Sequence, residues 1–184
     1  MTFEEAWKLV EPVGTWDALL EDGARALWKA AMALGPNRHF VEIGCHRGRS
    51  STLWMLLAKQ HGHALTFIDP WAEPPGDAPE AAIPWFTAMR QHNYPFTLIC
   101  AKTEQIDPRQ YPRSIDFLYV DGNHTLEAVE IDRQMIENVN PGGIVAFDNY
   151  GTHNGVAFVA DRLLKEGKLI GICVQGIVLI TRKP

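Results

Sequence analysis

Short apolar runs alternate with amphipathic stretches along this chain. Residues 40–43, 64–68, 96–100, 115–120 and 144–147 are dense in Val, Ile, Leu and Phe and are bounded by Gly, Pro, Asp or Asn. Runs of that length and flanking read as buried strands. The first extends over 39–44. Between the runs, residues 49–61, 85–93, 125–139 and 155–166 carry apolar positions at helical spacing. Residues 169–174 and 177–181 are two last strands, and Gln175-Gly176 between them is a hairpin signal. Ahead of the first strand, Phe3, Trp7 and Val10 mark a short helix over 3–11, broken by Pro12-Val13-Gly14. Thr15 or Asp17 can cap a second helix that runs to about Leu34, where Gly35-Pro36 stops it. Residues 72–84, rich in Pro, Ala and Glu, read as a loop holding at most one helical turn.

Strands alternating with helices predict an α/β fold, with a mostly parallel sheet covered on both faces. The closing hairpin adds one antiparallel strand. Ligands of such sheets bind beyond the carboxyl ends of the strands. That edge gathers Glu42, Asp69, Cys100, Asp121 and Asp148. Four of these five strand ends carry an acid, and a charged group at the end of a buried strand needs a partner, such as a ligand or ion. The chain reads as one domain, with a helical flap over 1–36 and a core over 37–184.

Composition narrows the setting. With 184 residues, 46% hydrophobic and 21% charged, the chain is of an ordinary globular type. A formal charge of -5 argues against a nucleic-acid surface, which needs clustered Lys and Arg. No apolar run reaches the roughly 20 residues that span a bilayer. The N-terminus lacks a signal peptide's basic start. Cys45, Cys100 and Cys173 are widely spaced and odd in number, which fits free thiols in a reducing cytoplasm.

The stretch Val41-Glu42-Ile43-Gly44-Cys45-His46-Arg47-Gly48-Arg49-Ser50-Ser51 runs from strand through a glycine-bracketed turn into a helix. Such a turn lets backbone approach a ligand and aims N–H groups at it. Asp69, at the end of the second strand, stands where a carboxylate holds ribose hydroxyls. The middle glycine of the dinucleotide fingerprint is absent, which counts against a pyrophosphate site and so against a nicotinamide dehydrogenase.

This string resembles the first motif of class I S-adenosylmethionine-dependent methyltransferases, which have a Rossmann-like sheet. It is most similar to the metal-dependent small-molecule O-methyltransferases, both the catechol and caffeoyl-CoA type and the macrocin type. The likeness runs from about Phe40 to Thr181. It implies that Glu42, Gly44 and Gly48 lie by the methionine end of the cofactor, with Ser50 or Ser51 at its carboxylate. Asp69 would bind the ribose, and residues 101–103, with Ala101 and Thr103, would flank the adenine.

In this fold the segments ending in Asp121-Gly122-Asn123-His124 and Asp148-Asn149 are adjacent strands. Asp121, Asp148 and Asn149 would then form an all-oxygen site suited to Mg²⁺ or another divalent cation, and the family places its metal ligands at the corresponding positions. Without a metal, Asp121 would meet the methionine amino group or the substrate, and Asp148 would cap the following turn.

The lysine base common in the family has no counterpart after the fourth strand. His124 and His153, both expected at the cleft mouth, are the candidate catalytic bases; each could instead be a loop-packing or surface histidine. His46 reads as a turn residue, and His39, His61, His63 and His92 as solvated.

The resemblance implies methyl transfer to a small-molecule hydroxyl, with vicinal diols favoured because two oxygens can chelate the metal. A homodimer could complete the pocket. The alternatives are a metal-free methyltransferase acting on nitrogen or another atom, and a non-catalytic S-adenosylmethionine-binding module.

Overall fold

The structure, a computed structural model, describes residues 1–13, 19–71 and 78–184. Its elements in chain order are helices α1 (Phe3–Val10) and α2 (Glu21–Ala33), strand β1 (His39–Ile43), α3 (Arg49–His61), β2 (Ala64–Ile68), α4 (Ala78–His92), β3 (Thr97–Ile99), β4 (Ile115–Val120), α5 (Leu126–Asp132), β5 (Val139–Phe147), α6 (Asn154–Lys165), β6 (Ile170–Gln175) and β7 (Val178–Arg182). The strands form one seven-stranded sheet in the order β3-β2-β1-β4-β5-β7-β6. All neighbours are parallel except β5–β7 and β6–β7, as the closing hairpin predicts. Strand order reverses between β1 and β4, the place where an open α/β sheet leaves a crevice.

Two cores cover the two faces. Phe40, Phe67, Phe117, Tyr119 and Ile180 pack with α1 to α4 on one side. Val41, Ile43, Leu118, Val145 and Phe147 pack with α5 and α6 on the other. Alternate residues of one strand thus enter opposite cores, which is why the strands read as continuous apolar runs.

Several boundaries depart from the sequence reading. The candidate caps Thr15 and Asp17 lie outside the described residues, as do residues 72–77 of the expected loop. The rest of that loop is helical, because α4 begins at Ala78 and carries Pro84 inside it. Proline costs an intrahelical hydrogen bond, and buried Trp85, Ala88 and Met89 offset that cost by packing. The helix expected over 125–139 is α5 followed by a 3₁₀ stretch over Arg133–Asn138. Strand β5 starts at Val139, five residues early, and its register with β4 shifts between Ile115 and Phe117.

Candidate functional site

The glycine turn is built from its neighbours inward. Gly44 has φ 83°, and a Cβ placed on it would lie 2.1 Å from the carbonyl oxygen of Asp121. Only glycine lets the end of β1 come that close to the end of β4. Asp69 holds the rest of the turn. Its Oδ2 accepts the N–H groups of Cys45 at 2.7 Å and His46 at 2.9 Å, and its Oδ1 accepts that of Trp71 at 2.9 Å. The Trp71 indole donates back to the His46 carbonyl at 2.9 Å. His46 itself has φ 45°, a turn conformation, as expected. The Oδ2 lone pairs are therefore used, and one acceptor position of Oδ1 remains.

Glu42 sits beneath the turn, 1% exposed. Its Oε2 accepts from the Ser51 hydroxyl, and the Trp85 indole donates to Ser51 at 2.9 Å. Trp85 also lies against Gly48, where a Cβ would meet its ring at 2.8 Å. Oε1 of Glu42 is buried without a hydrogen-bond partner, as is the hydroxyl of Tyr119, its register partner on β4. Burial pushes Glu42 up to about 7; the Ser50 and Ser51 hydroxyls pull it down, and the Asp69 charge pushes it further up.

An acid whose folded pKa is raised holds a proton that the unfolded chain releases. Its stability contribution is present at low pH and lost between about 4.5 and about 7. A shift of that size corresponds to a cost on the order of 3 kcal/mol above the window. Glu42→Gln should therefore melt about 8 °C above wild type at pH 8 and converge with it near pH 4. Parallel melting profiles over that range would refute the assignment.

The acid pair comes next along the edge. Asp121 and Asp148 follow paired strands at the register Val120↔Phe147, and each perturbs the other's titration. Burial first, then the like charge of Asp148, raises Asp121; burial raises Asp148. Oδ1 of Asp148 is buried without a partner. Two close carboxylates with an orphaned oxygen suit a shared proton or a cation. Asn149 follows at φ 58°, its carbonyl accepting the N–H groups of Thr152 and His153. Among the described residues no group of three or more His, Cys, Asp and Glu side chains is arranged to hold a metal ion. The expected set relied on an amide as its third donor.

Both candidate histidines reach this edge. His124 Nε2 lies 3.5 Å from Oδ1 of Asp121, and the His124 and His153 rings stand 4.5 Å apart. Burial, then the neighbouring His153, lowers the His124 pKa, so its imidazole is neutral at neutral pH. Gly155 permits the pairing. A Cβ there would strike the His124 carbonyl oxygen at 2.5 Å.

Other expected residues fall less centrally. Ala101 is half-buried after β3, and buried Thr103 holds its hydroxyl on Asp132. Ser50 is buried at the start of α3. His63, expected to be solvated, is 1% exposed, stacks on Phe40 at 4.3 Å and accepts the Arg38 N–H. His39 is likewise bonded through both ring nitrogens. These two brace the opposite ends of the strands. Tyr119, whose hydroxyl is buried beside Glu42 on the neighbouring strand, was not foreseen at the site. Nothing local in the sequence indicates that the Trp85 ring reaches Gly48.

Comparison with known proteins agrees with this geometry. A family model described as a methyltransferase domain matches residues 41–150. No curated protein matches the sequence. Among solved structures, the SAH-bound methyltransferase PaMTH1 of Podospora anserina superposes with a TM-score of 0.70 at 14% identity, covering 99% of this chain and 87% of that one. The O-methyltransferase NovP gives 0.66 at 13% identity, with 87% and 77% covered. An rRNA methylase from Streptococcus thermophilus gives 0.64 at 10% identity, with 92% and 99% covered. A glycine turn at the switch point of a β3-β2-β1-β4-β5-β7-β6 sheet, within a family match over most of the core, shows that this chain belongs to the methyltransferase domain family, with the class I fold of S-adenosylmethionine-dependent enzymes.

Proposed function

We propose that this protein transfers a methyl group from S-adenosylmethionine to a hydroxyl of a small molecule with neighbouring hydroxyls, a catechol or sugar diol. The reading is carried by one observation: a glycine turn and a close acid pair, roofed by two histidines whose rings meet at 4.5 Å, share one end of the sheet. The similarity to a SAH-bound methyltransferase and to NovP supports it. The rRNA methylase among the neighbours has the same fold, but a net charge of -5 and an acid-lined cleft favour a small acceptor over RNA. Three free cysteines suit a reducing compartment such as the cytoplasm.

Gly44 and Gly48 make room for the methionine end of the cofactor, Glu42 and Asp121 face its amino group, and Ser50 faces its carboxylate. Ser51, bonded to Glu42 and Trp85, shapes that pocket from beneath. The remaining acceptor position of Asp69 takes a ribose hydroxyl, and Ala101 and Thr103 flank the adenine. Asp121, Asp148 and Asn149 fit a divalent cation, which when bound would supply Lewis acidity at the acceptor oxygen. The acceptor oxygen forms a bond to the methyl carbon as the carbon–sulfur bond breaks. Sulfur keeps the electron pair, leaving S-adenosylhomocysteine (SAH), and neutral His124 takes the hydroxyl proton. His153, its ring 4.5 Å from that of His124, limits the movement of that ring.

Calorimetry with SAH, followed by methyl transfer to a panel of catechols and sugars, tests this. The wild type should bind SAH and methylate a diol. His124→Gln should keep SAH binding and lower kcat about 100-fold. A wild type that does not bind SAH would refute the reading.

A further inference from the structure

Arg49 is the first residue of α3, directly after the Gly48 turn. Its guanidinium does not face the cleft. It spreads over three backbone carbonyls of the N-terminal region: Nε donates to Val13 at 2.7 Å, Nη2 to Glu11 at 3.0 Å and Nη1 to Leu19 at 3.2 Å. Glu11 is the C-cap of α1. The last carbonyls of a helix lack intrahelical donors and carry its negative dipole end, so a guanidinium there satisfies and neutralises them together. The rigid fork of arginine suits three carbonyls; a lysine ammonium on its flexible stem does not reproduce that geometry.

The two ends of α1 are held differently. Its N-terminal half is tied to α2, through Arg25 to Glu4 at 2.6 Å and Arg25 over the Phe3 ring at 4.3 Å. Its C-terminal end is held by a residue of the glycine turn's own helix. The neighbours of Arg49 along the chain, Gly48 and Ser51, are packed against Trp85. Any shift of the first turn of α3 on ligand binding therefore moves the anchor of residues 11–13 and Leu19.

Resting on the cofactor reading above, we propose that Arg49 is a positioning residue that couples docking of the N-terminal region to cofactor binding, so that each strengthens the other. Linkage makes the effect reciprocal. The backbone N–H groups of Glu11 and Val13, bonded to Trp7 and Val10, report it directly.

The test uses the full chain with SAH as probe, in wild type, Arg49→Gln and Arg49→Lys, and Arg25→Ala as a reference for loosening α1 at its other end. SAH should slow hydrogen exchange at Glu11 and Val13 in wild type, and this slowing should vanish in Arg49→Gln. SAH affinity should fall roughly tenfold in Arg49→Gln, less in Arg49→Lys, and least in Arg25→Ala. Should Arg49→Gln fail to fold, Arg49→Lys carries the same two readouts. Wild-type exchange at Glu11 and Val13 that ignores SAH, or Arg49 variants that bind SAH as wild type does, would overturn the coupling and leave the cofactor reading intact. A wild type without SAH affinity would overturn both.

Discussion

Asp148→Ala is expected to abolish Mg²⁺ binding measured by calorimetry, and to slow methyl transfer about 100-fold or more, the cost of a misplaced acceptor. SAH affinity should stay within about threefold of wild type, a difference under 1 kcal/mol. The reason lies in the pair. Asp148 Oδ1 is a buried acceptor with no donor from the protein, and Asp121 beside it is raised by burial and by the Asp148 charge. Two such groups cost stability when both are ionised. Both are raised acids, so their contribution is present at low pH and declines as pH rises above the ordinary aspartate range. Asp148→Asn, which removes one charge and keeps the shape, should thus melt above wild type at pH 8, with the gap closing as pH falls. Mg²⁺ heats equal in Asp148→Ala and wild type would remove the cation from the reading. An Asp148→Asn protein less stable than wild type at pH 8 would show that the charges are not in conflict.

Gly44→Ala should be the most damaging single substitution in the turn. The new Cβ would stand 2.1 Å from the Asp121 carbonyl oxygen, 2.5 Å from its carbon and 2.7 Å from the Gly122 Cα, all backbone atoms at the end of a central strand. None can yield without parting β1 from β4. To this adds the penalty of a side chain at φ 83°. Together these place the cost at about 4 kcal/mol or more, in the range reserved for overpacking and backbone strain. Thermal denaturation should show a fall of roughly 10 °C for a chain of this length, with loss of SAH binding. Gly151→Ala isolates the strain alone, since φ there is 86° and nothing lies within 4 Å of the added atom. It should cost about 1 kcal/mol. Equal losses at the two positions would mean that the close approach at Gly44 carries no weight.

The glycine turn was legible because its requirements are local. Gly44, Gly48 and the helix that follows them are consecutive in the chain, and both glycines have the positive φ that their presence suggests. The acids were legible through a topological rule, since strand ends in a parallel sheet must line one edge. Roles within that edge were less so. Asp69, read as a ribose ligand, spends most of its acceptor capacity on the turn, because three backbone N–H groups in the folded chain need it. His63, read as solvated, is buried, because polarity along the sequence does not reveal that Phe40 stacks on its ring. Of α4, only the part up to Pro84 was missed, because proline disfavours helix locally, whereas Trp85 gains burial when the helix docks.

The order of apolar runs and breakers along the chain, by itself, determined the class of sheet, its parallel sense, the closing hairpin and the edge on which the acids stand. Those features follow from period and punctuation, which are properties of neighbours in sequence. Only the tertiary structure decided that Trp85 covers Gly48, that His124 meets His153 across Gly155, and that Arg49 turns away from the cleft to hold Glu11, Val13 and Leu19. Those contacts join residues 29 to 38 positions apart, and whether they form depends on how layers dock, a matter of shape and burial that no local window contains.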